Sequence, residues 1–182
     1  MKRMLRFSII ALSALALTAC ATLQRGPVGN AEVPQPGKPV DLNRYAGLWY
    51  EIGRYENGFE RGCEGVTAEY TLRPDGLVGV RNSCRQDGVN GEQKVSEGRA
   101  RVVEGSQNAK LKVSFFGPFY VGDYWVLDRA DDYSWSIVGE PSGRYLWLLS
   151  RTPRPSEAQR AVMNRRAQEL GYDMSLVRPT LH

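Results

Sequence analysis

Three cysteines, a single histidine and scattered carboxylates are what this chain of 182 residues offers for chemistry. The histidine is His182, the last residue, so the commonest general base is missing from any interior site. The chain has no Gly-x-Ser-x-Gly elbow, no phosphate-cradling glycine loop and no His/Cys cluster at metal-ligand spacing. Asp131 and Asp132 are adjacent, but they sit in a turn-forming stretch where a hairpin corner accounts for them better than an acid pair or a metal site. Glu64, Glu69 and Glu97 have no spacing that brings them together inside a fold. These residues point away from an enzyme and away from a metal or organic cofactor, and no catalytic residue is assigned.

The first cysteine belongs to the N-terminus. Lys2, Arg3 and Arg6 precede the apolar run FSIIALSALALTA, which is too short for a comfortable membrane span. The run ends in Leu17-Thr18-Ala19-Cys20, which resembles a bacterial lipobox. The expectation is a lipoprotein signal peptide over residues 1–19, cleaved before Cys20. Diacylglycerol on the sulfur and a fatty acyl group such as palmitate on the new N-terminus would then anchor the chain. A plain secretory signal with a chance cysteine is the alternative. Ala21, rather than aspartate, follows Cys20, which by the enteric sorting rule points to the outer membrane. Cleavage removes three basic residues and no acidic one from the 24 Lys+Arg and 20 Asp+Glu, leaving 21 basic against 20 acidic side chains. The basic character of the whole chain is therefore no sign of nucleic-acid binding. Cys63 and Cys84 remain as an even pair in an oxidising compartment, where a disulfide is expected over two packed thiols.

The elements that must position these residues are strands. Residues 20–40, with four prolines and no periodicity, read as a lipidated N-terminus and tether, and a folded domain is expected over residues 41–182. Strands are predicted over residues 48–55, 65–73, 77–85, 92–104, 110–116, 119–128, 133–138 and 144–151, separated by turn signals such as RPDG and EPSG. Short joins make neighbours antiparallel, and eight such strands suit an all-β, up-and-down barrel whose interior can hold one small ligand. A sandwich would want longer crossovers. The one longer connection, ENGFERGC, is the natural lid over a mouth. Ser156, with Gln159 three residues on, resembles a capping box for a C-terminal α-helix stopped at Gly171. Val162, Met163, Ala167 and Leu170 should face the barrel wall, and Arg160, Arg165 and Arg166 solvent or anionic lipid. The tail after Tyr172 suits one further short strand.

In this order the residues resemble the lipocalin family. Gly47-Leu48-Trp49-Tyr50-Glu51 looks like its first motif, GDYWVLDRADDYSWSIVG with Asp123 and Tyr124 like its second, and LWLLSRTP with Arg151 like its third. FERGCEGVTAEYTLRPDG and FFGPFY resemble the bacterial lipocalins, a lipoprotein group of the outer membrane. The likeness runs from about residue 41 to about residue 174. It implies that Trp49 seals the closed end of the barrel with Arg151 across it as a cation–π pair, while Tyr50 faces outward under the helix. The Cys63–Cys84 pair departs from the simplest pattern. With Pro74 and Asp75 as a two-residue corner, Cys84 would face position 65, so a bulge is needed for the bridge.

Strand alternation offers Tyr70, Phe115, Tyr120, Tyr124, Tyr145 and Trp147 as ligand-lining residues, with Phe59 on the lid, each subject to a one-residue slip of register. Tyrosines suit an amphipathic ligand, since the ring packs on a chain while the hydroxyl reaches a headgroup. Arg54, Arg81 or Arg144 would meet a phosphate or carboxylate at the rim, unless they serve only solubility. The resemblance implies an outer-membrane carrier or store of lipophilic molecules such as fatty acids or lysophospholipids, acting in envelope maintenance under stress, with its barrel in the periplasm. The rival readings are an envelope scaffold with a filled barrel and a lipocalin-type enzyme with a reactive thiol or a carboxylate pair in its calyx. The oligomeric state is open, a homodimer included.

Overall fold

Apolar residues at period two give each strand one face for an interior, and short turns return each strand beside the last. The computed structural model describes residues 27–182; Cys20 and the signal peptide lie outside the described residues. The strands are β1 (Gly47–Tyr55), β2 (Cys63–Leu72), β3 (Val78–Gln86), β4 (Gln93–Val102), β5 (Lys110–Ser114), β6 (Gly122–Arg129), β7 (Trp135–Gly139) and β8 (Leu146–Ser150). Each pairs antiparallel with the next, and β1 pairs with both β8 and β2, which closes the sheet into the expected barrel. β6 starts at Gly122 rather than at residue 119, because Phe116 and Phe119 bridge across a turn of their own.

A helix α2 (Glu157–Glu169) lies on the wall. The Ser156 hydroxyl accepts from the Gln159 N–H at 3.2 Å, as the capping pattern predicts. Met163 and Ala167 are buried against Ile137, Leu146 and Leu148, with Leu170 completing the i, i+4, i+7 stripe. Val162 falls one position off that stripe and is exposed, contrary to expectation. Arg166 is not simply solvated: it pairs with Asp128 on β6 and with Glu169. Burial pushes the Asp128 carboxyl up, but hydrogen bonds from Arg166, the Arg129 N–H and Lys38 outweigh it and hold the group below its ordinary value.

The chain's ends use both sides of β1. The last strand, β9 (Val177–Pro179), pairs with the second half of β1 on the edge that β2 has left. Tyr50 meets the ring of His182 edge-on at 5.5 Å, so it lies beside the C-terminus and not under α2. At the other end, residues 29–40 run along the outside of the barrel, where composition suggests only a tether. Gly29 and Asn30 bond to Gly143, and Val40 bonds to Gln107. Prolines in this stretch suit a strap without a ladder of hydrogen bonds.

Register irregularities position the chemistry. Leu72 pairs with Val78 and the Arg73 N–H donates to Leu77 O, so three residues make the β2–β3 corner instead of two. The register then shifts between Glu64 and Thr67, leaving Gly65 and Val66 together opposite Cys84. Gly65, at φ +55°, takes the left-handed conformation this bulge requires. The bulge brings Cys63 and Cys84 to a Cα separation of 5.4 Å, and they form the disulfide.

The end where β1 starts is sealed. A single helical turn α1 (Leu42–Tyr45), capped by Asp41 and too short to show periodicity in the sequence, crosses it. Trp49 is fully buried, its indole N–H donating to Tyr45 O at 2.8 Å. The Arg151 guanidinium lies 3.8 Å from the centre of the indole ring. It donates to Arg44 O, Tyr45 O and Ala46 O at the end of the helix, where carbonyls lack intrahelical partners, and to Leu48 O on β1.

Lysine at position 151 would keep the charge and lose both the planar stack and the fork of donors. Arg151→Lys should therefore lose about 2 kcal/mol of stability by urea unfolding; an unchanged midpoint would remove the plug from its role. The Cys63→Ala/Cys84→Ala variant should lose about 2–4 kcal/mol in the same assay, and equal stability would show the bridge to be dispensable.

Candidate functional site

Above the plug the barrel is hollow. A cavity of about 820 Å³ opens at the opposite end, well within the range of small-molecule sites. Its walls come from the inward faces of β2 to β6 and β8: Val66, Ala68, Val78, Val80, Ala100, Leu111, Val113 and Leu149. Of the residues that strand alternation offered, Phe59, Tyr70, Phe115, Tyr124 and Trp147 line this space. Tyr120 does not, because the turn before β6 turns its ring outward under Arg99 and Arg101. Tyr145 stands just outside the cavity, stacked on Trp147 with ring centres 5.7 Å apart and 5.7 Å from Phe59. Phe59 is on the β1–β2 loop.

The floor is a set of hydroxyls. Tyr45 and Tyr124 oxygens are 2.8 Å apart, Tyr70 donates to Tyr124 at 2.9 Å, and Ser136 lies 3.0 Å from Tyr45. Burial pushes the Tyr45 hydroxyl up to about 12 and raises Tyr70 and Tyr124 well above their ordinary value, so all three are neutral. Polar groups elsewhere on the lining include Thr67, Ser83, Asn82, Ser96, Gln86, Lys94, Asp87 and Asp123. Asn82 Oδ1 is buried without a partner, an acceptor left over for an occupant of the cavity.

A charged cluster that the sequence did not reveal occupies the side of the mouth. A regular strand would send residues 51 and 54 to opposite faces. β1 bulges at Ile52, where the register slips between Glu51 and Gly53, and both Glu51 and Arg54 turn inward. Arg54 is fully buried and donates to Glu51 Oε1 at 2.7 Å, Glu60 O at 3.0 Å and Cys63 O at 3.2 Å. Thr180 also donates to Glu51, while Glu60 accepts from the Trp147 indole at 3.0 Å. Arg54 is thus a clamp for the lid loop and the tail, not a rim arginine awaiting a headgroup. Arg81 is on the outer wall, 3.9 Å from Glu97, and Arg144 belongs to the β7–β8 turn. Glu69 is exposed beside Arg81, and Glu64 pairs with Arg178, so the three acids named from the sequence do not meet. Arg61 and Lys94 are the cations that line the cavity, beside the acids Glu60 and Asp87. No group of His, Cys, Asp and Glu suited to a metal occurs among the described residues.

Residues 40–182 match the family model of the lipocalin-like domain. The chain is 43% identical to the outer membrane lipoprotein Blc of Vibrio cholerae, over 89% of this chain and 94% of that protein. It is 39% identical to the outer membrane lipoprotein Blc of Escherichia coli, over 95% and 94% respectively. In three dimensions it is similar to insecticyanin of the tobacco hornworm Manduca sexta, with a TM-score of 0.67 at 22% identity, covering 85% of this chain and 87% of that one. The chain belongs to the lipocalin family, whose members bind lipophilic ligands, and with such relatives its location is the bacterial outer membrane.

Burial and the neighbouring Glu60 push the Glu51 carboxyl up to about 8 against the opposing pull of Arg54. A carboxyl raised on folding makes a contribution that is complete below its unfolded value of 4.5 and is lost as the pH rises towards 8. Glu51→Gln removes that titration. Urea unfolding at pH 5 and at pH 8.5 should show the unmodified protein losing more stability across the interval than the variant; parallel losses would place the Glu51 titration elsewhere.

Proposed function

We propose that this protein is a lipid-anchored carrier or store of single-chain amphipathic lipids, fatty acids or lysophospholipids, at the outer membrane. The observation that carries the reading is the hollow barrel: apolar walls for an acyl chain, neutral hydroxyls at the floor, and Arg61 and Lys94 where an anionic headgroup would emerge. Acylation at Cys20 would keep the barrel, on the periplasmic side, at high effective concentration of its lipid ligands. A role in clearing such lipids during envelope stress fits this chemistry.

The rival readings have less support. A scaffold with a filled barrel sits badly with 820 Å³ of open interior. An enzyme would want a free thiol or a carboxylate pair, and Cys63 and Cys84 are bonded to each other while Glu51 and Glu60 hold Arg54 and Trp147.

Titration with a fluorescent fatty acid, displaced by lysophosphatidylethanolamine, tests the reading. Val80→Trp would fill the cavity and should weaken binding at least tenfold with the circular dichroism spectrum unchanged; undiminished binding would place the ligand elsewhere. Radiolabelled palmitate should enter the protein in cells and fail to enter Cys20→Ala, and equal labelling would dismiss the anchor.

A further inference from the structure

The two ends of the barrel differ in what they show to solvent. At the closed end the turns carry charge, with Arg73, Asp75, Glu104 and Asp131 exposed. The barest large apolar side chains there are Leu48 and Leu72, at 41% and 39%, whereas at the open end, among the exposed charges Arg61, Asp87 and Glu92, Phe59 is 68% exposed, Phe116 81%, Phe119 69% and Val121 82%. Large apolar side chains this bare, gathered on the loops of one rim, mark an interaction surface. Arg99 braces the β5–β6 turn, donating to Gly117 O at 3.0 Å, so the rim is held in its exposed form.

The path of the N-terminal strap says what lies against this rim. Gly29 and Asn30 donate to Gly143 O at 3.0 and 3.2 Å, in the β7–β8 turn, which is at the mouth. The Asp173 N–H donates to Gly29 O at 2.9 Å, and Asn30 Nδ2 to Leu170 O at 2.9 Å. A Cβ on Gly143 would fall on the Asn30 carbonyl, so the crossing is built for close approach. Val40, ten residues later, is bonded at the closed end. Read towards the N-terminus, the chain therefore leaves the domain at the mouth. Cys20 lies nine positions before Gly29, a reach of at most about 30 Å. A barrel of tilted ten-residue strands is itself about 25 Å tall. With the closed end against the membrane, those residues would have to run fully extended back along the wall. With the mouth against it, they have slack.

We propose that the anchored protein stands mouth-down, with Phe59, Phe116, Phe119 and Val121 seated in the lipid bilayer, so that the cavity opens directly onto the membrane surface. This rests on the lipid anchor at Cys20 proposed above. A ligand would then pass between bilayer and barrel without crossing water, and the occupant of the rim is lipid rather than a second copy of this chain.

The test uses the full lipidated protein in vesicles of phosphatidylethanolamine and phosphatidylglycerol, with an environment-sensitive fluorophore on Phe116→Cys and, separately, on Asp75→Cys at the closed end. Flotation reports the anchor independently of orientation. The expected result is flotation of both variants, with at least a twofold gain in emission at position 116, quenched by nitroxide-bearing lipid, and no change at position 75. Flotation with equal signals at the two positions, or with position 116 protected by cross-linking to its counterpart in a second copy, would overturn the mouth-down arrangement and leave the anchor standing. Failure to float would overturn both. Phe116→Ser/Phe119→Ser/Val121→Ser should still float and should slow delivery of a fluorescent fatty acid from vesicle to barrel at least fivefold; an unchanged rate would also count against direct passage.

Discussion

A guanidinium lying across a buried indole closes one end of this barrel, and the rest of the structure is arranged around that closure. Trp49 reaches the axis from the first strand, Arg151 covers it from just beyond β8, and the two meet because β1 and β8 are neighbours in the closed sheet. Arg151 also collects carbonyls from the end of α1, which a helix of one turn cannot satisfy by itself. Burial works against its charge, with the Tyr45 and Tyr124 oxygens opposing that effect. With one end sealed by a few large groups, the interior above them does not need to be filled with side chains, and a cavity survives in a stable fold.

Polar groups inside that interior are costly unless paired, and their pairing follows from backbone irregularity. The bulge at Ile52 turns Glu51 and Arg54 to the same side, where they gather the lid loop through Glu60 and Cys63 carbonyls and the tail through Thr180. One guanidinium there meets Glu51, Glu56 and Glu60, which explains why burial succeeds in raising an acid that touches an arginine. The second bulge, at Gly65 and Val66, aligns the disulfide and gives the C-terminus a place to bond, through the Gly65 N–H to Leu181 O. The β1–β2 loop, the bridge and the tail thus stiffen one side of the mouth, where Phe59 projects, while Phe116, Phe119 and Val121 project from the β5–β6 loop.

Much of this was open to reading from residue order. Alternation and turn chemistry specify the strands, their antiparallel order and the capped helix, because these depend on neighbours a few residues away. The family motifs point to Trp49 and Arg151 for the same reason that they recur: few side chains can seal a barrel. Tyr120 and Tyr145 show where such reading stops. A loop residue just outside a strand has no alternation to inherit, so Tyr120 turns outward, and Tyr145, two places before Trp147, lies at the rim instead of within. Residues 29–40 look like a linker in composition, yet their backbone is held by contacts with Gly143 and Gln107 more than sixty residues away.

Local periodicity and turn chemistry are enough to specify a closed all-β barrel with a C-terminal helix, and the likeness of its motifs to the lipocalins implies an interior stoppered by Trp49. Long-range packing selects which carboxylate is buried, where the N-terminal strap leaves the domain, and that the exposed phenylalanines gather at the same end as that exit. Those features arise from register shifts and from packing between distant segments, and a displacement of one residue in a strand reverses every side chain that follows it.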